Sequence, residues 1–336
     1  MGEWRMKKLN LGIIGCGDIA FFIALIGKLD RRIRLKACCD VREEQMKRFA
    51  ARFGMRQTFL DYREMLALKD VDAVYLSVPH DLHYEMILVS AAAGKAVLAE
   101  KPLTRTYAEG KDLIDELGDT KVGVNYQYRY DRCAYALARA VQAGKLGKVH
   151  SVRVNIPWHR ENKYFENAAW HKTIARAGGG TLITQGSHLL DVALWSLGEA
   201  PVSAMGYTTN SGFDVEVDTL THGVVETSGG TLINITSSMI AATEQAVSVE
   251  VYGERGTAIY RKGAVSTLRY KGVHPGRERP PARGLHAMHS SLAGFANWVL
   301  NGEPYLTPAR EALPVLVAVD GIYRSAVSGQ RELIEE

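Results

Sequence analysis

The first 125 residues alternate short apolar runs with stretches whose apolar positions repeat every three or four residues. The short runs predict buried strands, and the longer stretches predict helices, two of which end at Gly54 and Gly94. Strands that alternate with helices are typical of a parallel sheet covered on both faces. The predicted strands are 9–14, 34–40, 73–79, 96–99 and 121–125, and the predicted helices are 42–53, 61–68 and 80–93.

After residue 125 the apolar positions take the two-residue period of half-buried strands, and turn signals such as Ser228-Gly229-Gly230 separate the runs. This pattern favours antiparallel pairing. The predicted strands are 149–157, 202–209, 218–226, 231–238, 246–252 and 256–260, and the predicted helices are 135–143, 289–300 and 309–327. We therefore predict an α/β protein: a doubly wound parallel sheet over residues 1–124, then an α+β domain with a large, mostly antiparallel sheet over residues 125–336.

The first strand leads into a helix through the turn Gly15-Cys16-Gly17-Asp18-Ile19-Ala20. Gly15 allows a backbone conformation that a Cβ resists, Gly17 lets a pyrophosphate approach the main chain, and Ala20 lets the helix pack on the strand. The N-terminus of a helix presents unpaired N–H groups and a partial positive charge, which together bind anions. The turn therefore predicts a dinucleotide site, although a tight strand-to-helix turn alone is the alternative.

Asp40 ends the second predicted strand, about 25 residues after Gly15. At this spacing a carboxylate accepts hydrogen bonds from the adenosine ribose, so Asp40 favours NAD. A 2′-phosphate would meet a like charge there. Arg42 would offset part of that repulsion, which leaves NADP open.

Composition and charge exclude several classes of partner. The 336 residues are 46% apolar, and 41 basic and 37 acidic residues are spread along the chain without a block of like charge. We therefore expect no nucleic-acid partner. No apolar run reaches the roughly 18 residues of a membrane span, and residues 1–8 lead directly into a strand, so we expect a cytoplasmic protein without a membrane partner. The four cysteines show no metal or disulfide spacing and are interpreted as reduced thiols: Cys16, Cys38, Cys39 and Cys133.

Glu100-Lys101-Pro102 follows the fourth strand of the parallel series, so that the pair of charges lies at the ligand-binding edge of the sheet. A surface ion pair at a strand end is the alternative interpretation. The functional hypothesis places Lys101 beside a nicotinamide ring. Partial burial and the positive ring would lower the pKa of Lys101 toward proton exchange with a hydroxyl or carbonyl.

A second group of polar residues follows the triple glycine 178–180. His188 and Asp191 are three residues apart and share a face of a helix, with Thr184 and Gln185 about one turn earlier. A lone histidine on an apolar helix is often structural. Here a carboxylate is placed to orient an imidazole suited to proton transfer, so we assign catalysis to Lys101, His188 and Asp191 and predict no metal site.

The chain resembles the glucose–fructose oxidoreductase, inositol dehydrogenase and rhizopine-catabolism (Gfo/Idh/MocA) oxidoreductases over almost its whole length. The resemblance rests on the glycine turn, Pro79 with His83, the run 94–102, the triple glycine with His188 and Asp191, and Gly302-Glu303-Pro304. It implies a Rossmann domain, an open-faced second domain and a nicotinamide cofactor. It also implies oxidation of a sugar or cyclitol hydroxyl with Lys101 and His188 at the site, and a homodimer or homotetramer formed through the open sheet.

Two sets of residues complete the predicted site. The cofactor set is Gly15, Cys16, Gly17, Asp18, Ile19, Ala20, Asp40, Val41, Arg42, Ser77, Val78, Pro79, His80, His83, Glu100, Lys101 and Gln127. The substrate set is Lys101, Tyr126, Arg129, Trp158, His159, Tyr164, Trp170, His171, Thr184, Gln185 and His188. Sugars need fixed hydrogen-bond donors and aromatic faces, which these residue types supply, although packing is the alternative for each.

One position departs from the family pattern. Many polyol-oxidising relatives carry an aspartate four residues before the histidine, where this chain has Thr184. A hydroxyl cannot share a proton as a carboxylate does, and the change is more typical of relatives acting on sugar nucleotides or amino-sugar derivatives. We predict hydride transfer between NAD(H) and a secondary hydroxyl or ketone of a sugar, cyclitol or sugar nucleotide. The alternatives are a dehydrogenase or reductase of a non-sugar diol or ketone and a non-catalytic dinucleotide-binding regulator.

Overall fold

The computed structural model describes residues 7–273, 276 and 278–334. The expectation drawn from the start of the chain concerns residues 1–8, of which residues 1–6 lie outside the described residues. Contacts between Cα atoms divide the described chain into two compact units. The first unit comprises the residues up to Leu103 together with Lys111–Tyr130 and Pro281–Glu311, and the second comprises Thr104–Gly110, Asp131–Pro280 and the residues from Ala312 on.

The first unit contains a six-stranded parallel sheet in the order β3-β2-β1-β4-β5-β6. Its strands are β1 Leu9–Ile14, β2 Ile33–Cys39, β3 Gln57–Phe59, β4 Ala73–Leu76, β5 Ala96–Ala99 and β6 Val122–Val124. The order reverses between β1 and β4, where Ile14 lies beside both Cys39 and Leu76. In such sheets the ligand crevice lies beyond the carboxyl ends of the strands at this reversal.

Helices cover the parallel sheet because their apolar stripes pack against its strands. The helices before residue 120 are α1 Asp18–Leu29, α2 Glu43–Phe53, α3 Tyr62–Leu66, α4 His83–Ala92 and α5 Tyr107–Glu116. Met46, Phe49 and Phe53 of α2 share one face at helical spacing and are buried, as the pattern predicted. Gly54 ends α2 in the left-handed conformation.

The second unit contains an eight-stranded sheet in the order β13-β12-β11-β7-β10-β9-β8-β14, with its strands antiparallel except for the pair β7 and β10. Its strands are β7 Val149–Pro157, β8 Pro201–Thr209, β9 Leu220–Thr227, β10 Leu232–Ser238, β11 Val247–Gly253, β12 Gly256–Lys262, β13 Ser266–Lys271 and β14 Glu332–Leu333. Alternate residues of β7, such as Val152, Val154 and Ile156, are buried, whereas Arg153 and Asn155 between them are exposed. One face of the sheet is therefore open, and the predicted architecture is confirmed.

The remaining helices are α6 Arg132–Gln142, α7 Asn162–Asn167, α8 Ile174–Ala177, α9 Ser187–Leu197, α10 Ala287–Asn301 and α11 Leu313–Ser328. Helix α10 packs in the first unit, because Leu292 and Phe295 join the apolar cluster that contains Leu9 and Ile23. The sequence assigned residues 281–311 to the second domain, whereas their contacts lie with the first unit. The boundary after residue 124 itself stays a prediction.

Several elements carry weaker patterns and were not predicted: α5, β3, β13 and β14. The stretch before the triple glycine, interpreted from the sequence as a linker, contains the short helix α8 and a 3-10 turn at Ala169–Lys172. A π-helical turn at Leu182–Gly186 precedes α9. Within the described residues, the structure contains no helix with the length and apolar character of a membrane span.

Candidate active site

The glycine turn has the geometry that dinucleotide binding requires. Gly15 has φ +85°, and a Cβ there would collide with the carbonyl oxygen of Ser77. A Cβ on Gly17 would meet no described atom within 4 Å, so the main chain is open to a ligand at that residue. Helix α1 begins at Asp18 without a side-chain cap from any described residue. Its first N–H groups therefore fit a pyrophosphate.

Asp40 fixes the same turn from the end of β2. Its side chain is 7% exposed, and one carboxylate oxygen accepts a 2.8 Å hydrogen bond from the backbone N–H of Cys16. The other oxygen accepts a 2.8 Å bond from the backbone N–H of Arg42. Gln45 donates from its side-chain amide to the carbonyl oxygen of Cys16 at 2.7 Å. The turn and the acid expected to bind ribose are therefore one hydrogen-bonded assembly, flanked by the exposed Val41.

The thiol of Cys39, at the end of β2, has no acidic character. Cys16, Cys38 and Cys39 are buried, and all four cysteines are unpaired by disulfides. Burial and the carboxylate of Asp40 raise the pKa of the Cys39 thiol to about 12. Cys39 therefore stays protonated and unreactive at neutral pH.

The residues before Lys101 are fixed by a buried polar network. One carboxylate oxygen of Glu100 accepts hydrogen bonds from the Tyr75 hydroxyl and, at 2.7 Å, from the side-chain amide of Asn125. The amide oxygen of Asn125 in turn accepts a 2.9 Å bond from Ser291 of α10. Burial and the charge of Glu100 raise the pKa of the Tyr75 hydroxyl well above its usual value. The phenol therefore remains a donor, and half-buried Lys101 follows a rigid carboxylate at the end of β5.

His83 is 0% exposed and contacts two loops at this edge of the sheet, the loop after β4 and the loop after β5. Its Nδ1 is 2.8 Å from the carbonyl oxygen of Pro102, and its Nε2 is 3.1 Å from that of Val78. Burial lowers the pKa of the imidazole, against the opposing effect of these carbonyl groups. His83 thus joins the loop after β4 to the loop after β5. The loop after β4 contains four residues of the predicted cofactor set: half-buried Ser77, Val78 and Pro79 and buried His80.

Residues 126–129 follow the last parallel strand. Tyr126 is 1% exposed and Arg129 is 2% exposed, and Gln127 is half-buried in a 3-10 turn at Gln127–Tyr130. The Arg129 guanidinium donates to the carbonyl oxygens of Leu306 at 2.9 Å and Glu311 at 3.2 Å. Arg129 therefore holds the segment that follows α10, a role the sequence did not suggest. Its assignment to substrate stays a prediction.

In the second unit, Asp218 organises the triple-glycine turn. Its carboxylate accepts backbone N–H bonds from Gly180 at 2.6 Å and Leu182 at 3.0 Å. It also accepts hydroxyl bonds from Tyr323 and Thr221, both at 2.7 Å. A Cβ on Gly180 would collide with the backbone of Asp218. Asp218 was not predicted from the sequence, because it lies 36–38 residues from the turn that it holds.

Helix α9 carries the second predicted catalytic group. His188 is 7% exposed and Asp191 is 0% exposed, so both belong to the interior of the second unit. Thr184 lies in the π-helical turn before them, and its hydroxyl donates a 2.6 Å bond to the carbonyl oxygen of Gly180. In this structure the hydroxyl proton of Thr184 is therefore directed to the backbone. The catalytic roles of His188 and Asp191 stay predictions.

Aromatic side chains of the substrate set gather in the second unit. The ring of His171 stacks on Trp170, with centroids 3.6 Å apart, and on Tyr164 at 4.5 Å. Arg160, which the sequence analysis missed, lies over the rings of Trp158 and Tyr164. His159 instead bonds the carbonyl oxygen of Ala241 at 2.8 Å.

Each unit thus brings together part of the predicted site. The first unit joins the glycine turn, Asp40, Glu100 and Lys101 at one sheet edge, and the second joins the aromatic residues, Thr184 and Gln185. Among the described residues, no group of three or more histidine, cysteine or acidic side chains is arranged to hold a metal ion. The roles of the individual residues stay predictions.

The fold and the glycine turn define an NAD-binding oxidoreductase. Residues 9–128 match the oxidoreductase family with an NAD-binding Rossmann fold, and residues 135–259 match the GFO/IDH/MocA C-terminal domain. The chain therefore belongs to the Gfo/Idh/MocA oxidoreductases, which confirms the resemblance seen in its motifs, and its cofactor is NAD.

Relatives align over most of the chain. Inositol 2-dehydrogenase 2 of Saccharopolyspora erythraea is 29% identical, covering 97% of this chain and 96% of the relative. The 1,5-anhydro-D-fructose reductase of Ensifer adhaerens is 25% identical, over 85% and 87%. The structure resembles the WlbA dehydrogenase of Bordetella pertussis, solved with NADH and UDP-GlcNAcA, with a TM-score of 0.89 and 25% identity over 98% of this chain and 100% of that one.

Proposed function

We propose that the protein transfers a hydride between NAD(H) and a secondary hydroxyl or ketone of a sugar, cyclitol or sugar nucleotide. The observation that carries this proposal lies in the first unit. The open turn at Gly17 and the network-bound Glu100-Lys101 occupy the carboxyl ends of β1 and β5 in one sheet. Two relatives are named for their action on inositol and on 1,5-anhydro-D-fructose, which supports a sugar or cyclitol as the substrate.

The residues of the turn fit the dinucleotide. The free N–H groups of α1 would hold the pyrophosphate, and Asp40 would accept hydrogen bonds from the ribose. When bound, NAD accepts or returns the hydride. Lys101 stabilises the negative charge that develops on the substrate oxygen, because a fixed cation interacts more strongly with an alkoxide than with a neutral hydroxyl.

His188 is the proposed proton-transfer group, since imidazole exchanges protons near neutral pH. Asp191 is the proposed orienting carboxylate three residues along α9. The aromatic rings of Trp158, Tyr164 and Trp170 would stack on the sugar. The open sheet face, with Met205 53% and Tyr207 74% exposed, supports a homodimer or homotetramer. A cytoplasmic location belongs to the same proposal.

The test is a substrate panel of sugars, inositols, sugar acids, sugar nucleotides and simple diols, offered with NAD or NADP. The absorbance of reduced nicotinamide reports turnover. We expect turnover with carbohydrate-like compounds and a preference for NAD. Turnover with diols alone would contradict the substrate class. Tight NADH binding without turnover of any compound would identify a dinucleotide-binding regulator instead.

A further inference from the structure

Three side chains in the second unit form a group that we call the donor cluster: Arg160, Tyr164 and Gln185. The guanidinium carbon of Arg160 lies 4.8 Å from the ring centroid of Trp158 and 5.5 Å from that of Tyr164. Cation–π contacts with two rings restrict the positions that the guanidinium can take. The position of its N–H groups is therefore set before any ligand arrives.

Gln185 supplies a buried donor. Its side chain is 3% exposed, and its amide oxygen accepts a 3.2 Å bond from the Thr181 hydroxyl. Its Nε2 forms no hydrogen bond of ordinary length in the described part of the chain, although the amide interacts with the Tyr164 hydroxyl and lowers its pKa. Burying an N–H group without a full hydrogen bond is unfavourable, because the group has lost its hydrogen bonds to water. Such a group in a candidate substrate region indicates that a ligand supplies the acceptor.

Tyr164 interacts with both of these groups: Arg160 lies over its ring, and Gln185 acts on its hydroxyl. Its pKa is raised to about 12 because burial outweighs the effects of Arg160, Thr184 and Gln185, which lower it. The phenol therefore stays protonated at neutral pH and adds no negative charge. Its hydroxyl lies 3.2 Å from Nδ1 of His171.

Arg160 is only partly neutralised by the protein. Its Nη1 donates a 2.8 Å bond to the carbonyl oxygen of His159. The nearest carboxylate oxygen, on Glu244, is 3.6 Å from the same nitrogen, and the Glu244 side chain is 58% exposed. No described residue accepts a hydrogen bond from Nε or Nη2 of Arg160. The guanidinium thus retains charge and donors for a ligand.

We propose that the donor cluster binds the carboxylate of an acidic sugar, which narrows the substrate class to sugar acids, free or nucleotide-linked. This inference rests on the proposed function. A carboxylate brings only acceptors and matches the planar fork of an arginine, whereas a neutral hydroxymethyl group brings one donor and no charge. Glu244 is then the carboxylate that the substrate displaces from Arg160.

The test compares two matched pairs: methyl β-D-glucuronide with methyl β-D-glucoside, and UDP-glucuronate with UDP-glucose. Calorimetry measures the binding of each compound to the protein saturated with NADH. We expect the acid to bind at least tenfold more tightly than its neutral partner in at least one pair. Equal binding within both pairs, or tighter binding of glucose 6-phosphate than of every acid, would overturn the inference.

Two substitutions give opposite results if the inference is right. Arg160→Ala should remove the preference for the acid, whereas Glu244→Gln should strengthen it by removing the competing carboxylate. Arg261→Ala is the matched control, because this exposed arginine lies 3.9 Å from Glu250 on the sheet. Arg160→Lys and an unchanged affinity for NADH distinguish a lost contact from a misfolded variant. If Arg160→Ala weakens the neutral compound equally, the cluster does not recognise the carboxylate.

The two proposals can fail separately. If the acid binds but no compound gives NADH, the proposed hydride transfer is wrong and the proposed carboxylate site stands. If neutral sugars give NADH and acids bind no more tightly than their neutral partners, the proposed hydride transfer stands and the carboxylate site is wrong.

Discussion

The carboxylate of Asp40 accepts a 2.8 Å hydrogen bond from the backbone N–H of Cys16, so the acid at the end of β2 is bound to the turn that follows β1. The residue expected to bind the ribose therefore also shapes the phosphate-binding turn. We predict that Asp40→Asn weakens NADH binding about tenfold, because charge-assisted hydrogen bonds are lost. It should also reduce discrimination against NADPH.

Fluorescence titration of both nucleotides measures this effect. Asp61→Asn is the matched control, because Asp61 also accepts a backbone N–H, from Arg63 at 2.9 Å, at the start of α3. An unchanged affinity of Asp40→Asn for NADH would exclude Asp40 from the nucleotide site.

Substitutions of Gly15 and Gly17, which lie in one turn, should have different effects: one on the free energy of unfolding and the other on NADH binding. Gly17 has φ −81°, and a Cβ there meets nothing within 4 Å, so Gly17→Ala should change the free energy of unfolding by no more than about 1 kcal/mol. It should weaken NADH binding, because the added methyl group occupies the space through which the pyrophosphate approaches the main chain.

Gly15→Ala should instead destabilise the protein by more than about 1 kcal/mol, since φ at this position is +85° and the Cβ of the alanine would collide with Ser77. Urea unfolding and NADH titration on both variants give the comparison. Wild-type affinity in Gly17→Ala would show that the nucleotide does not approach this glycine.

The part of this site that lies next to predicted strands could be predicted from the sequence. Gly15, Gly17 and Asp40 follow strands whose apolar runs are strong, so spacing alone predicted that they converge at one sheet edge. Arg160 and Asp218 were not predicted, because each acquires its role from partners that only the tertiary fold brings near. Helix α10 was assigned to the wrong neighbours for the same reason: its apolar face does not reveal which sheet it covers.

Asp218 is expected to be a stability determinant of the second unit. Asp218→Ala would leave four donors without their acceptor, including the N–H of Gly180 and the Tyr323 hydroxyl. We predict a loss of about 3 kcal/mol or more, since removing one partner of a buried charged network is strongly destabilising. Tyr323→Phe removes one donor and keeps the ring, so it should cost about 1 kcal/mol. Urea unfolding measures both, and equal losses would contradict the four-bond role of Asp218.

His83 should make stability depend on pH. Burial lowers its pKa in the folded state below the value of about 6.5 in the unfolded chain. Below about pH 6.5 the unfolded chain then binds a proton that the folded imidazole does not, so the free energy of unfolding falls as the pH falls. The stabilisation is fully present above pH 6.5.

Urea unfolding of wild type and His83→Gln at pH 7.5 and 5.5 measures this dependence. We expect the stability difference between them to shrink at pH 5.5. His150→Gln, at an exposed position of β7, is the control and should show no such change. A constant difference for His83→Gln would mean that the ring does not titrate differently on folding.

We propose that Lys101 acts on the negative charge that develops on the substrate oxygen and not on nucleotide binding. Removing such a fixed group typically raises the barrier by about 3–4 kcal/mol, so Lys101→Ala should lower kcat by about 10²–10³-fold. The most direct measurement is the initial rate of NADH formation by Lys101→Ala, Lys101→Arg and wild type, beside their affinities for NADH. The predicted result is a collapse of kcat in Lys101→Ala with nearly unchanged NADH affinity and partial recovery in Lys101→Arg. Wild-type turnover in Lys101→Ala would exclude Lys101 from the chemical step.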